Sequence, residues 1–282
     1  MLLLCLLLAT DVAITVDDLP AHGPAYPGID RAALSQTLLA AFKRHGVPVT
    51  GFVNGSKLQA HPELQQVLND WSAAGAPLGN HGFGHLSLTA TAPAEYLADI
   101  ERNEPFANVK IFRYPFLFEG ETPEKHAAVR AWLAAHGYRV AQVTIDGDDW
   151  AWNPPFARCT AQGDLATLGR LRRSFLDAQV QYLQHYRALG QQLEGRDLKH
   201  IYLMHLGAMD ADQIEPLLSS FEAAGMRFIP LDEALQDPIY AADHGVATKA
   251  GSTLLDKLSM ARKTKPPPFQ WPDEKWLEKA CR

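Results

Sequence analysis

Polar side chains able to do acid, base or metal chemistry follow a series of short apolar runs along this chain. In chain order they are Asp17 and Asp18, His81 and His85, Arg113, Asp146, Asp148 and Asp149, and His205. Functional sites in parallel α/β folds gather at the carboxyl ends of the strands. If each apolar run is a buried strand, we expect these side chains to share one rim of the fold.

Three residues in this series have the composition of an open metal site. Asp18, His81 and His85 supply one carboxylate and two neutral imidazoles, which leaves coordination positions for water and substrate. Imidazole-rich sites favour zinc over magnesium or calcium, so we expect a divalent metal, with Zn²⁺ favoured and Co²⁺, Ni²⁺ or Mn²⁺ also compatible. The residue types therefore predict a metal-dependent hydrolase.

The remaining groups suit proton transfer beside such a metal. Asp17 is free to take a proton from an activated water, and Arg113 could keep that carboxylate ionised and aimed. His205 is a candidate acid for the leaving group, with Asp149 as its partner. Each residue alone is weak evidence, since an Asp after a strand is usually a helix cap. The prediction rests on their shared placement at the ends of the predicted strands.

Short apolar runs alternate with longer helical patterns throughout the chain. The predicted strands cover 12–16, 49–53, 77–80, 111–114, 140–145, 200–205 and 227–230. The predicted helices cover 31–45, 62–75, 94–107, 124–136 and 211–225. Such alternation indicates the α/β class with a parallel sheet or barrel. Seven strands favour a distorted (β/α)7 barrel, and an open doubly wound sheet is the alternative.

Two segments depart from this alternation. A helical insertion covers about 154–198, before the sixth strand, and contains a long amphipathic helix or helix pair over 165–193. A proline-containing C-terminal extension covers 237–282. Consecutive prolines disfavour regular structure, whereas Trp271 and Trp276 suggest that this end docks on the barrel. The domain that carries the site is therefore expected over 11–236, interrupted by the insertion.

The composition limits the class of protein and its partners. The chain has 282 residues, of which 47% are hydrophobic and 21% charged, with a net charge of −6. That composition supports a large core and excludes a disordered chain. A mildly acidic chain without basic blocks argues against nucleic acid or an anionic membrane as a partner. No apolar run reaches the roughly twenty residues of a transmembrane helix. The oligomeric state is left open.

The first ten residues and the cysteines bear on the cellular location. Residues 2–9 resemble the apolar region of a secretory signal, although the preceding positive charges are missing. We therefore expect an incomplete signal segment over 1–10 and a periplasmic or secreted protein, with a buried strand or helix turn as the alternative. Cys159 and Cys281 can form one disulfide or stay as thiols.

Five ordered motifs resemble those of the polysaccharide deacetylases of carbohydrate esterase family 4, the NodB-homology family. The resemblance covers about 11–235. The motifs are Thr15-Val16-Asp17-Asp18, Asn80-His81-Gly82-Phe83-Gly84-His85, Arg113-Tyr114-Pro115-Phe116, Asp146-Gly147-Asp148-Asp149-Trp150 and Leu203-Met204-His205. Members of that family are barrels that use a divalent metal to hydrolyse acetyl groups on glycans, which the resemblance implies for this chain.

The resemblance implies the same roles as the residue types do. The implied catalytic residues are Asp17, Arg113, Asp149 and His205, and the implied metal ligands are Asp18, His81 and His85. The resemblance adds three substrate-binding positions, namely the backbone N–H of Phe116 at an oxyanion hole, Trp150 at the wall of the groove, and Tyr114.

Three positions depart from the family pattern. Val16 stands where Phe is usual, and Phe116 stands where Tyr is usual. Gly82 stands where a Ser or Thr hydroxyl braces the loop, so a looser metal loop is expected. No catalytic group is missing.

The expected activity is removal of acetyl groups from a glycan, with N-deacetylation of N-acetylhexosamine polymers or oligomers as the first choice. The motifs do not separate amide from ester, so O-acetyl ester hydrolysis on a xylan-type polysaccharide is the alternative. An amidase of small amides and a non-catalytic carbohydrate-binding protein on the same fold are further hypotheses.

Overall fold

Strands and helices alternate along the chain, as the apolar runs predict. The computed structural model describes residues 9–249 and 251–282. The strands within that part of the chain are β1 (Thr10–Leu19), β2 (Thr50–Val53), β3 (Leu78–Asn80), β4 (Ile111–Phe112), β5 (Arg139–Val140), β6 (Ile145–Asp146), β7 (His200–His205) and β8 (Met226–Phe228).

The five predicted helices all have counterparts, and further helices lie in the insertion and the extension. The α-helices of the described residues are α1 (Arg31–Arg44), α2 (Ser56–Ala60), α3 (Gln65–Ala73), α4 (Pro93–Asn103), α5 (Pro123–Ala135), α6 (Asn153–Gln162), α7 (Leu165–Glu194), α8 (Ala208–Ala223), α9 (Leu231–Ala234), α10 (Pro238–Ala241), α11 (Leu254–Ala261) and α12 (Glu274–Lys279). Single 3₁₀ turns cover Pro62–Leu64, Glu104–Phe106, Pro115–Leu117 and Asp149–Ala151.

The strands form one parallel sheet in the order β5-β4-β3-β2-β1-β7-β6, with β8 beside the start of β1. β5 and β6 belong to one segment of the chain, and they pair with β4 and β7 respectively. That segment therefore joins the two ends of a curled sheet. The α/β class and the distorted (β/α)7 barrel are confirmed, and the open doubly wound sheet is not what the chain adopts.

The prediction of a continuous strand over 140–145 is wrong. The Ala141 amide donates to the Phe112 carbonyl (2.8 Å), whereas the Thr144 amide donates to the Ile201 carbonyl (3.1 Å). The segment thus changes partner between these two residues, because the barrel must bend there to close. The Thr144 hydroxyl also accepts a hydrogen bond from the Ile201 amide (2.8 Å), which holds the second half in place.

The core lies around β1, which is buried along nearly its whole length because both faces of the sheet are covered. The long amphipathic pattern of the insertion is one helix, α7. The Asp164 carboxylate accepts from the Thr167 amide at its start (3.0 Å), and Gly195 ends it with φ at 68°. α7 packs against α6, α8 and α11, so the insertion forms an outer layer on one side of the barrel.

The C-terminal extension is attached to both the insertion and the barrel. A disulfide joins Cys159 in α6 to Cys281, and the Arg158 guanidinium donates to the Ala280 carbonyl (2.9 Å). Deeper in the fold, Lys257 on α11 forms a buried ion pair with Glu119. The extension therefore contacts both the insertion and the barrel. It contains α10, α11 and α12, whereas the consecutive prolines at 266–268 lie in an irregular segment between α11 and α12.

Only the last two residues of the predicted signal segment lie among the described residues. Residues 1–8 of the predicted signal segment lie outside the described residues. Thr10, its last residue, already belongs to β1: its amide donates to the Gly225 carbonyl (3.0 Å) and its hydroxyl accepts from Arg187 (2.6 Å). β1 thus begins one residue before the predicted boundary at 11. Among the described residues, no helix is long and apolar enough to cross a membrane.

Candidate active site

The strand ends bring the predicted site residues to one rim of the barrel. β1 and β7 run in parallel register, so that Asp17 pairs directly with His205. β3 ends beside them, and its continuation carries His81 to within 3.7 Å of the carboxylates of both Asp17 and Asp18. Arg113 follows β4 and reaches Asp17 from the other side. Parallel strands therefore place these groups together, as their sequence positions predict.

The backbone is strained at three of these positions. Asp18, His85 and Phe116 have φ values of 65°, 53° and 57°, in the left-handed region that side chains other than glycine rarely adopt. Such conformations cost on the order of 1–3 kcal/mol each and concentrate at functional sites, where the surrounding structure enforces them. The left-handed turns redirect the chain just after the strands and aim these residues at the rim.

Asp18, His81 and His85 converge with the geometry of a metal-binding group. One ligand atom from each lies within 4.8 Å of the other two, and His85 Nε2 is 3.3 Å from Asp18 Oδ1. Asp18 Oδ1 is buried and accepts no hydrogen bond from the part of the chain that the structure describes. His81 Nδ1 donates to the Arg113 carbonyl (2.8 Å), which leaves the Nε2 lone pair directed at the group.

The protonation states of these three residues suit a divalent cation. Burial lowers the pKa values of His81 and His85 to about 4, so both imidazoles are neutral at neutral pH. Burial opposes ionisation of Asp18, but the hydrogen bond from His22 and the nearby histidines hold its pKa well below its usual value. A carboxylate and two neutral imidazoles around an unsatisfied buried oxygen fit a metal such as zinc.

His22 is a residue of the site that the sequence did not single out. Its Nδ1 donates to Asp18 Oδ2 (2.8 Å), and its ring lies 4.2 Å from the ring of His205. Asp18, His22 and His205 form a second group with metal-ligand spacing. His205 argues against this second group as the metal site, because a protonated imidazole has no lone pair to offer. The only sequence signal for His22 was its spacing of four residues from Asp18.

The loop that carries the two metal histidines is held firmly, contrary to the expectation drawn from Gly82. The Gly82 amide donates to Asn80 Oδ1 (2.9 Å), and Asn54 Nδ2 donates to the Gly82 carbonyl (2.8 Å). The Gly84 amide donates to Asp99 Oδ1 (2.9 Å). Gly82 itself has φ at 72°, and a Cβ there would lie 2.8 Å from Asp99 Oδ2. The local backbone therefore favours glycine at this position, and hydrogen bonds with three side chains hold the loop.

Asp17 is buried against Arg113. Arg113 Nη1 donates to both carboxylate oxygens of Asp17 at 3.1 Å, and Arg113 is fixed in turn by the Ala141 carbonyl (2.6 Å) and the Thr15 hydroxyl (3.1 Å). Burial raises the pKa of Asp17, and the Arg113 charge offsets only part of that rise. A carboxylate with a raised pKa, held in one orientation, is suited to accept a proton.

His205, at the end of β7, and Asp149, in the turn after β6, form a hydrogen-bonded pair next to the strand that carries Asp17. His205 Nδ1 donates to Asp149 Oδ1 (2.7 Å), and the His205 amide donates to Asp149 Oδ2 (2.6 Å). Burial lowers the pKa of His205, but the charge and hydrogen bond of Asp149 outweigh it and raise that pKa to about 10. Burial by itself would raise the pKa of Asp149, yet the charge and the hydrogen bond of His205 lower the pKa of Asp149 to about 2. The pair is therefore a protonated imidazole beside a carboxylate.

A buried carboxyl behind this pair was also missed by the sequence analysis. Asp210, in the first turn of α8, is fully buried and lies within hydrogen-bond reach of Asp149. Asn153 Nδ2 donates to Asp210 Oδ2 (3.0 Å). Burial and the neighbouring Asp149 charge raise the pKa of Asp210 well above its usual value. Nothing in its sequence position, five residues after His205, indicated this placement.

The helical insertion holds the loop that presents Asp149. Gln179 Nε2 on α7 donates to the Gly147 carbonyl (2.9 Å), and the Tyr182 hydroxyl donates to Asp148 Oδ2 (2.7 Å). The insertion is therefore part of the support of the site.

Two of the three predicted substrate-binding residues lie at the surface of the rim, and one does not. Phe116 and Trp150 are each 51% exposed, and the Phe116 ring lies 4.3 Å from the ring of His85. Tyr114 is only 2% exposed, and its ring packs against Phe112 and Tyr96. Tyr114 is therefore a residue of the core in this structure, and its part in substrate binding stays a prediction.

Comparisons with known proteins agree with this geometry. Residues 9–141 match the family model described as polysaccharide deacetylase. A family 4 carbohydrate esterase from Streptomyces lividans is 21% identical, with 80% of this chain and 95% of that chain covered and a TM-score of 0.50. A peptidoglycan deacetylase from Bacillus subtilis is 18% identical, with 90% and 94% covered and a TM-score of 0.51.

One of the similar structures belongs to a protein described as a pseudoenzyme. A pseudoenzyme of carbohydrate esterase family 4 from Bacillus anthracis is 15% identical to this chain, with 81% of this chain and 66% of that chain covered and a TM-score of 0.55. At these identities the structural likenesses show a shared fold. No curated protein sequence matches the chain.

Proposed function

We propose that this chain, which carries a polysaccharide deacetylase domain of the NodB type, is an active metal-dependent hydrolase that removes acetyl groups from a glycan. One observation supports this most strongly. The candidate ligands Asp18, His81 and His85 lie close to both a buried carboxylate, Asp17, and a protonated imidazole, His205. A base and an acid beside an electrophilic centre are what acyl transfer to water requires.

Asp17 is assigned as the base. A divalent cation bound by Asp18, His81 and His85 would polarise the acetyl carbonyl and lower the pKa of water. Asp17 accepts the proton of the attacking water, because its raised pKa brings it nearer to neutrality than an ordinary carboxylate. Arg113 holds both oxygens of Asp17, so the lone pair of the base keeps one direction.

His205 is assigned as the acid. Its Nδ1 is committed to Asp149, so Nε2 is the nitrogen that can deliver a proton to the leaving group. An amine leaves poorly unless it is protonated, and a histidine that stays charged at neutral pH always has the proton ready. This arrangement favours N-deacetylation of N-acetylhexosamine polymers or oligomers over ester hydrolysis, for which the acid matters less.

Phe116 and Trp150 are assigned to substrate binding. The turn of Phe116 lies next to His85, so its backbone N–H is proposed to stabilise the developing oxyanion. The exposed Trp150 ring directly follows Asp149 and offers an apolar wall for a sugar ring.

Export to the periplasm or the outside of the cell is part of this proposal. The disulfide between Cys159 and Cys281 supports it, because structural disulfides persist in oxidising compartments. A polymeric acetylated glycan would also be encountered there.

Acetate release from a small panel tests the proposal. N-acetylglucosamine oligomers, peptidoglycan and acetylated xylan are each incubated with the protein plus zinc, with chelator, and with zinc restored. We expect release from the amide substrates, loss with chelator and recovery with zinc. Release from xylan alone would replace the amide with the ester. Tight metal binding without release from any substrate would contradict catalysis and favour a non-catalytic carbohydrate-binding protein.

A further inference from the structure

A pocket of about 310 Å³ lies away from the catalytic groups, between α7 and the C-terminal extension. Its volume is at the lower end of the roughly 300–1,000 Å³ that small-molecule sites occupy. One wall is a face of α7 with Ser174, Asp177 and Gln181, which share that face because they are three and four residues apart. The opposite wall is the segment of the extension that carries Trp271 and Trp276.

Trp271 presents an open aromatic surface at this pocket. Its side chain is 61% exposed, although its ring lies 4.8 Å from Phe269 and 6.1 Å from Tyr182. The ring is thus held in place while much of it faces solvent. The large exposed hydrophobic side chains of the described residues include three aromatics, and the other two, Phe116 and Trp150, lie at the catalytic rim. Exposed apolar surface that the fold could have buried often marks a ligand groove.

The polar groups around Trp271 suit a neutral polyhydroxyl ligand. Asp177 and Gln181 are exposed on α7 and offer a carboxylate and an amide to hydroxyl groups. The charged lining residues are Arg170, Asp177 and Asp273, and the Arg170 guanidinium is placed over the Trp276 ring at 4.2 Å. The lining has no cluster of positive charge that would select a polyanion. An aromatic face beside hydrogen-bonding groups matches a sugar, whose ring has an apolar C–H face and hydroxyls at its edge.

The pocket is joined to the catalytic rim by direct contacts. Trp152 lines the pocket and belongs to the turn that begins at Asp149, and its Nε1 donates to the Ser174 hydroxyl (2.9 Å). Tyr182 contacts Trp271 on one side and donates to Asp148 on the other. A chain bound at Trp150 on the rim could therefore continue towards Trp271.

We infer that this pocket is a distal glycan subsite, built by the helical insertion and the C-terminal extension, that binds sugar units several residues away from the acetyl group being removed. The inference rests on the proposed function for its choice of ligand. It gives the two added segments a function in recognising longer chains.

The test is the dependence of hydrolysis on chain length. For wild type, Trp271→Ala and Met260→Ala, kcat/KM is measured on N-acetylglucosamine oligomers of two and six units. We expect Trp271→Ala to lower the six-unit to two-unit ratio roughly tenfold, mainly through KM, because aromatic anchors dominate such contacts. Met260 is a matched control: it is exposed, lies on α11 in the same extension and does not line the pocket. Its replacement is expected to keep the wild-type ratio.

A second variant and a binding measurement separate the possible failures. Gln181→Ala changes the opposite wall without touching the extension and is expected to lower the same ratio. An unchanged ratio in both variants, or equal losses on both oligomers, would overturn the subsite while leaving the deacetylase function intact. Calorimetric titration with the six-unit oligomer covers the case in which the protein binds the glycan but releases no acetate. Binding that weakens in Trp271→Ala, in a protein that releases no acetate, would support the subsite and reject the proposed function.

Discussion

The two sides of the catalytic rim hold histidines in opposite protonation states. On one side, burial lowers the pKa values of His81 and His85 to about 4. On the other, the pKa of His205 is raised to about 10, although it is buried as well. The difference lies in the partner of each ring. His81 Nδ1 donates to a neutral carbonyl, whereas His205 Nδ1 donates to the Asp149 carboxylate.

This contrast teaches that burial alone does not decide the role of a histidine. A buried ring that donates to a neutral group stays uncharged and keeps a lone pair for a metal. A buried ring that donates to a carboxylate becomes charged and keeps a proton for transfer. Residues of the same type, within one rim, are thereby suited to different proposed roles, His81 and His85 as metal ligands and His205 as the acid.

The largest expected effect is on the metal side. His81→Ala removes one of the three proposed ligands, so bound zinc should be lost and acetate release should fall by more than about 10⁴-fold, beyond what loss of general acid catalysis alone would cost. Metal content and activity are measured on the same sample. His136→Ala, at an exposed histidine on α5's C-terminal end, is the matched control and should retain both. Full metal content in His81→Ala would reject the assigned ligand set.

A smaller loss is expected on the acid side. His205→Ala should lower kcat by about 10²–10⁴-fold while leaving bound zinc unchanged, because general acid catalysis contributes that much and the ligands are untouched. Loss of zinc together with activity would instead favour the alternative group that includes His22. His22→Ala distinguishes the two, since it should retain metal if Asp18, His81 and His85 are the ligands.

The smallest effect concerns stability and its dependence on pH. Asp149→Asn removes the charge that raises the pKa of His205 and should lower the free energy of unfolding by about 2 kcal/mol, as for a hydrogen bond to a charged group. The deficit should be largest between about pH 4 and 6.5. Above pH 6.5 the deficit should shrink towards pH 10, where His205 loses its proton. Below pH 4 the deficit should shrink towards pH 2, where Asp149 gains a proton.

Thermal unfolding of both proteins across this pH range, with chelator present, measures the deficit. A constant difference between wild type and Asp149→Asn at every pH would show that the pair is not charged in the folded protein. Such a result would remove the contrast between the two sides of the rim.

Much of the fold was predictable because the signals are local. The alternation of apolar runs and helical patterns identified β1 and β7, and it placed α7 within one residue of its observed end. The ordered motifs at strand ends then predicted one shared rim, since parallel strands must bring their carboxyl ends to the same edge. The break between β5 and β6 was missed, because the bend that closes a barrel depends on partners distant in sequence.

The sequence by itself determined the fold class, the family resemblance and the residues that reach the rim, because periodicity and motif order are properties of neighbouring residues. Only the tertiary structure decided how those residues behave. It buried Tyr114 in the core, bonded Gly82 to Asn80, placed Asp210 behind Asp149 and joined Cys159 to Cys281. Each of these outcomes depends on burial and on contacts between distant segments, and these exist only once the chain has folded.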